Sequence, residues 1–231
     1  MCIRDSLFDI LGPVMVGPSS SHTAGAVRIG WMTQKLLGEQ PVEAKILMYG
    51  SFAATGKGHG TDRGLVAGLL GMRPDDERIP DSFEIARKMG LSYSFGIANL
   101  TSAHPNSVIL KVKGKSGRTL EVQACSLGGG RIMINRLDGL DVNCSCEIPT
   151  LIVHNLDQPG HVAEVTSMLA HKSVNIANMS LYRDKRGGSA VMVVEMDQPL
   201  PKESLEWLEH LEGIVKVTYI NVTEGEEDDV L

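Results

Sequence analysis

Four hydroxyls and an imidazole crowd into one heptapeptide, Gly17-Pro18-Ser19-Ser20-Ser21-His22-Thr23. It stands immediately before an apolar-periodic helix predicted over residues 24–37, with Val27, Trp31, Leu36 and Leu37 as its apolar positions. A helix start has N–H groups without intrahelical partners and the positive end of the dipole, which suits a carboxylate or a phosphate. Capping the helix would use one of these hydroxyls. The others, with His22, are candidates for holding a ligand, because clustered polar groups require partners.

A second constellation is Gly56-Lys57-Gly58-His59-Gly60-Thr61-Asp62. It looks superficially like a nucleotide phosphate loop, but five residues rather than four separate Gly50 from Gly56, and Gly58 stands where such a loop needs Ser or Thr. Three glycines around Lys57 and His59 instead allow close backbone approach to a ligand, while two titratable side chains face it. Histidine titrates near neutral pH and can pass a proton in either direction. The third cluster, Ser126-Leu127-Gly128-Gly129-Gly130, has Met133 where a dinucleotide fingerprint needs its last glycine, so it reads as a tight hairpin turn.

The chain has four cysteines, Cys2, Cys125, Cys144 and Cys146. So few thiols, in a chain whose first residues are too short and polar for a secretory signal, predict free thiols rather than a disulfide framework. Cys144 and Cys146, with only Ser145 between them, read as structural thiols rather than as a shared metal site. No metal ligands are assigned to this chain, because it lacks the three or four thiolates that an iron-sulfur cluster needs.

Positioning these groups takes two domains. The glycine clusters fill the first half and stop near Pro149, which gives domains over residues 1–147 and 148–223 and an acidic tail over 224–231. In the first half, residues 7–11 read as a short strand or turn and 42–49 as a strand. Residues 62–70 and 82–89 read as helices. Residues 107–112, 119–124 and 131–137 read as successive antiparallel strands, so the fold class is α+β, an α/β sandwich. The second half reads strand, helix, strand, strand, helix, strand, with Pro159 and Gly160 opening the first helix. With 231 residues and a net charge of −6, scattered rather than clustered Lys and Arg, and no apolar run near about 18 residues, the chain is expected to bind neither nucleic acid nor membrane and to be cytoplasmic.

The order of the second half, with its Asp157-Gln158-Pro159-Gly160 turn, resembles the ACT domain, a ferredoxin-like βαββαβ module. That resemblance implies a regulatory amino-acid site, usually across a dimer interface, at Asp157, Gly160 and His161, with Asn175 and Ile176 facing them. A domain that only dimerises is the alternative.

The stretch from Leu7 through the Ser19-Ser20-Ser21-His22-Thr23 run to Ala26, together with Gly58-His59-Gly60-Thr61-Asp62, the turn at 128–130 and the ACT-like half, resembles the beta chain of the two-chain iron-sulfur-dependent L-serine dehydratases. What that family implies is a lyase of serine catabolism and gluconeogenesis that dehydrates L-serine to aminoacrylate, which hydrolyses to pyruvate and ammonium. A [4Fe-4S] cluster ligated by the partner alpha chain would act as Lewis acid. The first domain would be similar to the allosteric-substrate-binding domain of certain phosphoglycerate dehydrogenases. Carried onto this chain, Ser19, Ser20, Ser21 and Thr23, joined by Gly60, Thr61 and Asp62, would bind substrate, and His59 and His22 would be catalytic, with the nearer to iron left open. The assembly implied is a heterotetramer or a homodimer through the ACT domain. Two other readings stand beside this one: a non-catalytic amino-acid sensor and a structural dimerisation module. Pyridoxal phosphate chemistry would need a Schiff-base lysine and a phosphate loop, and no segment supplies both.

Overall fold

A computed structural model describes residues 14–221. The predicted element at residues 7–11, the acidic tail and Cys2 lie outside them. The chain divides into two units, Met1–Asp138 and Gly139–Leu231.

The first unit is helices on a mixed sheet. Helices α1 (Gly25–Leu37), α2 (Gly50–Thr55), α3 (Thr61–Leu69) and α4 (Ser82–Met89) accompany strands β1 (Pro41–Met48), β2 (Ser92–Ile97), β3 (Ser107–Gly114), β4 (Thr119–Gly128) and β5 (Arg131–Leu137). The strand order is β2-β1-β3-β4-β5, parallel between β1 and β2 and antiparallel elsewhere. Period-two alternation makes one face a core: Ala44, Ile46, Val108, Leu110, Leu120 and Val122 are buried, while Glu43, Lys45 and Lys111 are exposed. Strand β2 and helix α2 are absent from the expectations above. Strand β2 lies at the sheet edge and is mostly exposed, so it has no buried stripe to announce it, and α2 has only six residues. The glycine run closes the β4–β5 hairpin as expected: Gly128 pairs with Arg131, leaving Gly129 and Gly130 as a two-residue loop with φ of +61° and +76°. Both central residues of such a loop need positive φ, which glycine adopts without steric cost.

Helices α1 and α3 pack backbone to backbone. A methyl group added at Gly68 would come within 2.0 Å of the Val27 carbonyl oxygen, and one at Gly30 within 2.4 Å of the Leu65 carbonyl oxygen. Gly64 sits similarly beside the Thr23 carbonyl. Thr23 therefore meets Gly64, and Val27 meets Gly68 one turn later, so the two helices run in the same direction. Around this contact Val27, Leu65, Val66 and Leu69 are fully buried, each worth about 1.5–3 kcal/mol relative to exposure.

The second unit contains β6 (Leu140–Cys144), β7 (Thr150–Leu156), α5 (His161–His171), β8 (Ile176–Arg183), β9 (Ser189–Met196), α6 (Lys202–Glu209) and β10 (Ile214–Ile220). Strands β7 to β10 form an antiparallel sheet of order β10-β7-β9-β8. With α5 and α6 this is the ferredoxin-like order expected from the sequence. Its core combines Leu151, Val153, Met192 and Val194 of the sheet with Val165 and Leu169 of α5 and Leu208 of α6. The buried carboxylate of Glu195 accepts hydrogen bonds from Ser145 Oγ at 2.9 Å and Asn178 Nδ2 at 3.0 Å.

The two cysteines, two residues apart, do not both lie in the strand. Strand β6 ends at Cys144, and Cys146 has a left-handed φ of +52°. The chain turns there instead of continuing extended, and the two sulfurs lie 3.1 Å apart.

Candidate functional site

The α1 end of the site begins with a π-helical turn, Ser20–Ala24, which leads directly into α1. Ser19 caps it: the Ser19 hydroxyl accepts from the His22 N–H at 3.1 Å, and its carbonyl accepts from the Thr23 N–H at 2.8 Å. Capping thus accounts for the first of the four hydroxyls. The Thr23 side chain, buried, donates to the carbonyl oxygen of His59 at 2.8 Å, tying the first motif to the second across 36 residues. Ser20 and Ser21 are half-buried in the same turn.

The two imidazoles meet edge to face, with ring centroids 5.0 Å apart. His22 is half-buried, makes a 2.9 Å hydrogen bond between Nε2 and Ser51 Oγ, and packs edge-on against Phe52 at 5.5 Å. Burial, and then the neighbouring His59, hold its pKa below the ordinary 6.5, so the neutral ring is favoured. His59 is exposed. It lines a cleft of about 260 Å³ with Val16, Gly17, Pro18, Thr23, Lys57, Gly58, Gly60, Arg63, Ile79 and Pro80.

The parallel helices give this cleft its electrostatics. The turns leading into α1 and α3 line it, Thr23 from the first and Gly60, at φ +69° and capping α3, from the second. Each helix end contributes about 0.3–1 kcal/mol toward an anion. That is too little to hold a carboxylate alone, and the cations Lys57 and Arg63 on the cleft wall supply the larger attraction. Arg63 is oriented by a hydrogen bond from Nη1 to the Pro80 carbonyl and by the Phe83 ring, whose centroid lies 5.6 Å from its Cζ. Thr61 is buried with its hydroxyl unpartnered, and Asp62 Oδ1 accepts from the Arg63 N–H at 2.8 Å.

The sequence motifs missed Ser51, Phe52 and Arg63. A Gly-Ser pair directly after a strand was the available signal for Ser51; nothing local marks Arg63. Of the predicted set, Thr23, His59 and Gly60 line the cleft and His22 stands behind it.

The predicted regulatory set behaves differently. Asp157 follows the C-terminal end of β7, where its Oδ2 accepts from Arg183 Nη1 at 3.0 Å and the Gly187 N–H at 2.9 Å. These contacts, the Gly187 N–H foremost, hold its carboxyl below the usual range. Gly160 is exposed, and His161 is buried at the start of α5, with Nδ1 3.3 Å from Glu164 Oε2 and Nε2 unpartnered. Asn175 and Ile176 stand at the other end of the sheet, because β8 runs parallel to β7 through their shared neighbour β9. Asn175 bonds to Gln198 and Asp197 there, and Ile176 packs into the core. About 20 Å of strand separates the two groups, so one chain does not bring them together.

Comparison with known proteins agrees with the sequence motifs. Residues 6–90 match the family described as serine dehydratase beta chain, and residues 149–211 match the ACT domain. The chain is 40% identical over 215 residues to a probable L-serine dehydratase, beta chain, of Bacillus subtilis, covering 93% of this chain and 97% of that one. The chain belongs to the L-serine dehydratase beta-chain family. It is 37% identical over 218 residues to the L-serine dehydratase, beta chain, of Peptoniphilus asaccharolyticus, covering 94% and 98% of the two chains. A D-3-phosphoglycerate dehydrogenase of Bacillus subtilis is 25% identical over 199 residues, 85% of this chain and 37% of that one.

An iron-sulfur cluster does not match the donors of this beta chain. Among the described residues the thiols are Cys125, Cys144 and Cys146, all buried, and burial raises the pKa of Cys125. No group of three or more His, Cys, Asp or Glu among the described residues could hold a metal ion. No helix among them is long and apolar enough to cross a membrane.

Proposed function

We propose that this beta chain forms the substrate-carboxylate and proton-handling half of an L-serine dehydratase, whose [4Fe-4S] cluster is held by a separate alpha chain. The observation that carries the proposal is one cleft lined by two cations, Lys57 and Arg63, and by His59, with His22 behind it, where the turns entering α1 and α3 meet. Dehydrating L-serine to pyruvate and ammonium requires a proton to leave Cα as the β-hydroxyl departs. A carboxylate seated against Lys57, Arg63 and the α1 and α3 N-termini would fix Cα near the exposed His59 ring, which takes the proton. His22 is the positioning residue: neutral and held by Ser51, it adds no competing positive charge beside His59. Ser20 and Ser21, with Gly60, Thr61 and Asp62, complete the substrate-binding turns. The ACT unit would regulate, with Asp157, Gly160 and His161 of one copy meeting Asn175 and Ile176 of a second, in a homodimer or a heterotetramer.

The test is anaerobic reconstitution with the cognate alpha chain, following pyruvate formation from L-serine. This chain alone is inactive, the pair is active, and His59→Ala in the pair is not. Full activity of this chain alone, or of the His59→Ala pair, overturns the proposal.

A further inference from the structure

Cys144 and Cys146 take no part in the cleft, yet their sulfurs lie 3.1 Å apart, only about 1 Å beyond the bonded distance of about 2.05 Å. Ser145 between them is tied down: its hydroxyl and its N–H both point to Glu195 Oε1, at 2.9 Å and 3.4 Å. Glu195 is fixed in turn by Asn178. This clamp holds Cys146 at φ +52°, a conformation that a non-glycine residue keeps only where its surroundings over-determine it. Buried cysteines are ordinarily inert. A second thiol in contact changes that, because the step after the first oxidation becomes intramolecular.

We infer that Cys144 and Cys146 form a reversible oxidation site, a dithiol that a peroxide converts into an intrachain disulfide. One thiolate attacks the peroxide, whose O–O bond breaks, giving a sulfenic acid and one water after proton transfer. The other sulfur then attacks the sulfenic sulfur: the S–S bond forms, the S–O bond breaks and a second water leaves. Two thiols are oxidised and one peroxide is reduced. Both sulfurs are buried, but Cys144 ends a five-residue strand and Cys146 lies outside regular structure. Opening that short segment therefore exposes them without unfolding the unit.

The test uses the full chain, purified anaerobically under reductant, treated with one equivalent of hydrogen peroxide, denatured and labelled with N-ethylmaleimide. The protein loses two hydrogens, two fewer thiols label, the peptide linkage maps to Cys144–Cys146, and dithiothreitol restores both. Cys146→Ser prevents the loss, leaving a dimedone-reactive sulfenic acid at Cys144, whereas Cys125→Ser oxidises like the unaltered chain. Unchanged labelling, oxygen addition without hydrogen loss, or a bond to Cys125 or Cys2 overturns the inference.

Discussion

The two units use the same device, a loop entering a helix, to different degrees of completeness. In the first, the π-turn before α1 and the glycine loop before α3 close on each other, and Thr23, His59, Lys57 and Arg63 line one cleft within a single chain, with His22 behind His59. In the second, the loop before α5 has Asp157 already committed to the β8–β9 turn, and its predicted partners lie at the far end of the sheet. Parallel helix packing gathers residues from distant segments at one end. A strand of eight residues holds its two ends apart. Within one chain, therefore, the first unit gathers its candidate residues and the second does not.

The largest expected effect breaks the first region only. His59→Ala should lower reconstituted dehydratase turnover by about 10²–10⁴-fold, while the thermal unfolding of the chain is unchanged. Gly68→Ala comes next: its methyl would meet the Val27 carbonyl oxygen, which belongs to backbone and cannot rotate aside. It should cost the first unit about 3 kcal/mol, read by urea unfolding, and leave the second unit's transition where it was.

Ser51→Ala removes the hydroxyl bonded to His22 and should cost about 1 kcal/mol, read as a several-fold fall in kcat with little change in KM. A stability loss without a change in kcat would reduce Ser51 to a structural role.

The pH response of His22 is smaller. Its folded pKa lies below 6.5, so between the two values the unfolded chain binds more protons than the folded one, and stability rises with pH there. The contribution is complete above the unfolded value and lost as pH falls through the folded one. His22→Gln should therefore flatten part of the decline in melting temperature as pH falls below about 6.5. The smallest effect belongs to the second region: Asp157→Asn should loosen the exposed contacts to Arg183 and Gly187, with little change in turnover in the absence of a regulatory amino acid. A turnover loss rivaling that of His59→Ala would erase the contrast between the regions.

Local pattern made much of this legible. The ferredoxin-like order of the second unit follows from hydrophobic periodicity, and the two histidine motifs announce themselves by composition. The exposed edge strand β2 and the short helix α2 did not, because neither carries a buried stripe of readable period. Missing α2 meant missing Ser51.

The sequence by itself determined which residue types stand at the helix starts, because capping and glycine turns are local chemistry. It determined the element order of the second unit, because hydrophobic periodicity is local too. Only the tertiary structure decided that α1 and α3 run parallel, since that depends on Gly30 and Gly68 meeting across a gap with room for no side chain. From that contact come the pairing of His22 with His59 and the entry of Arg63 into the cleft. The strand register separates Asp157 from Asn175, and the turn at Cys146 brings two sulfurs into contact, closer than same-face neighbours along an extended strand.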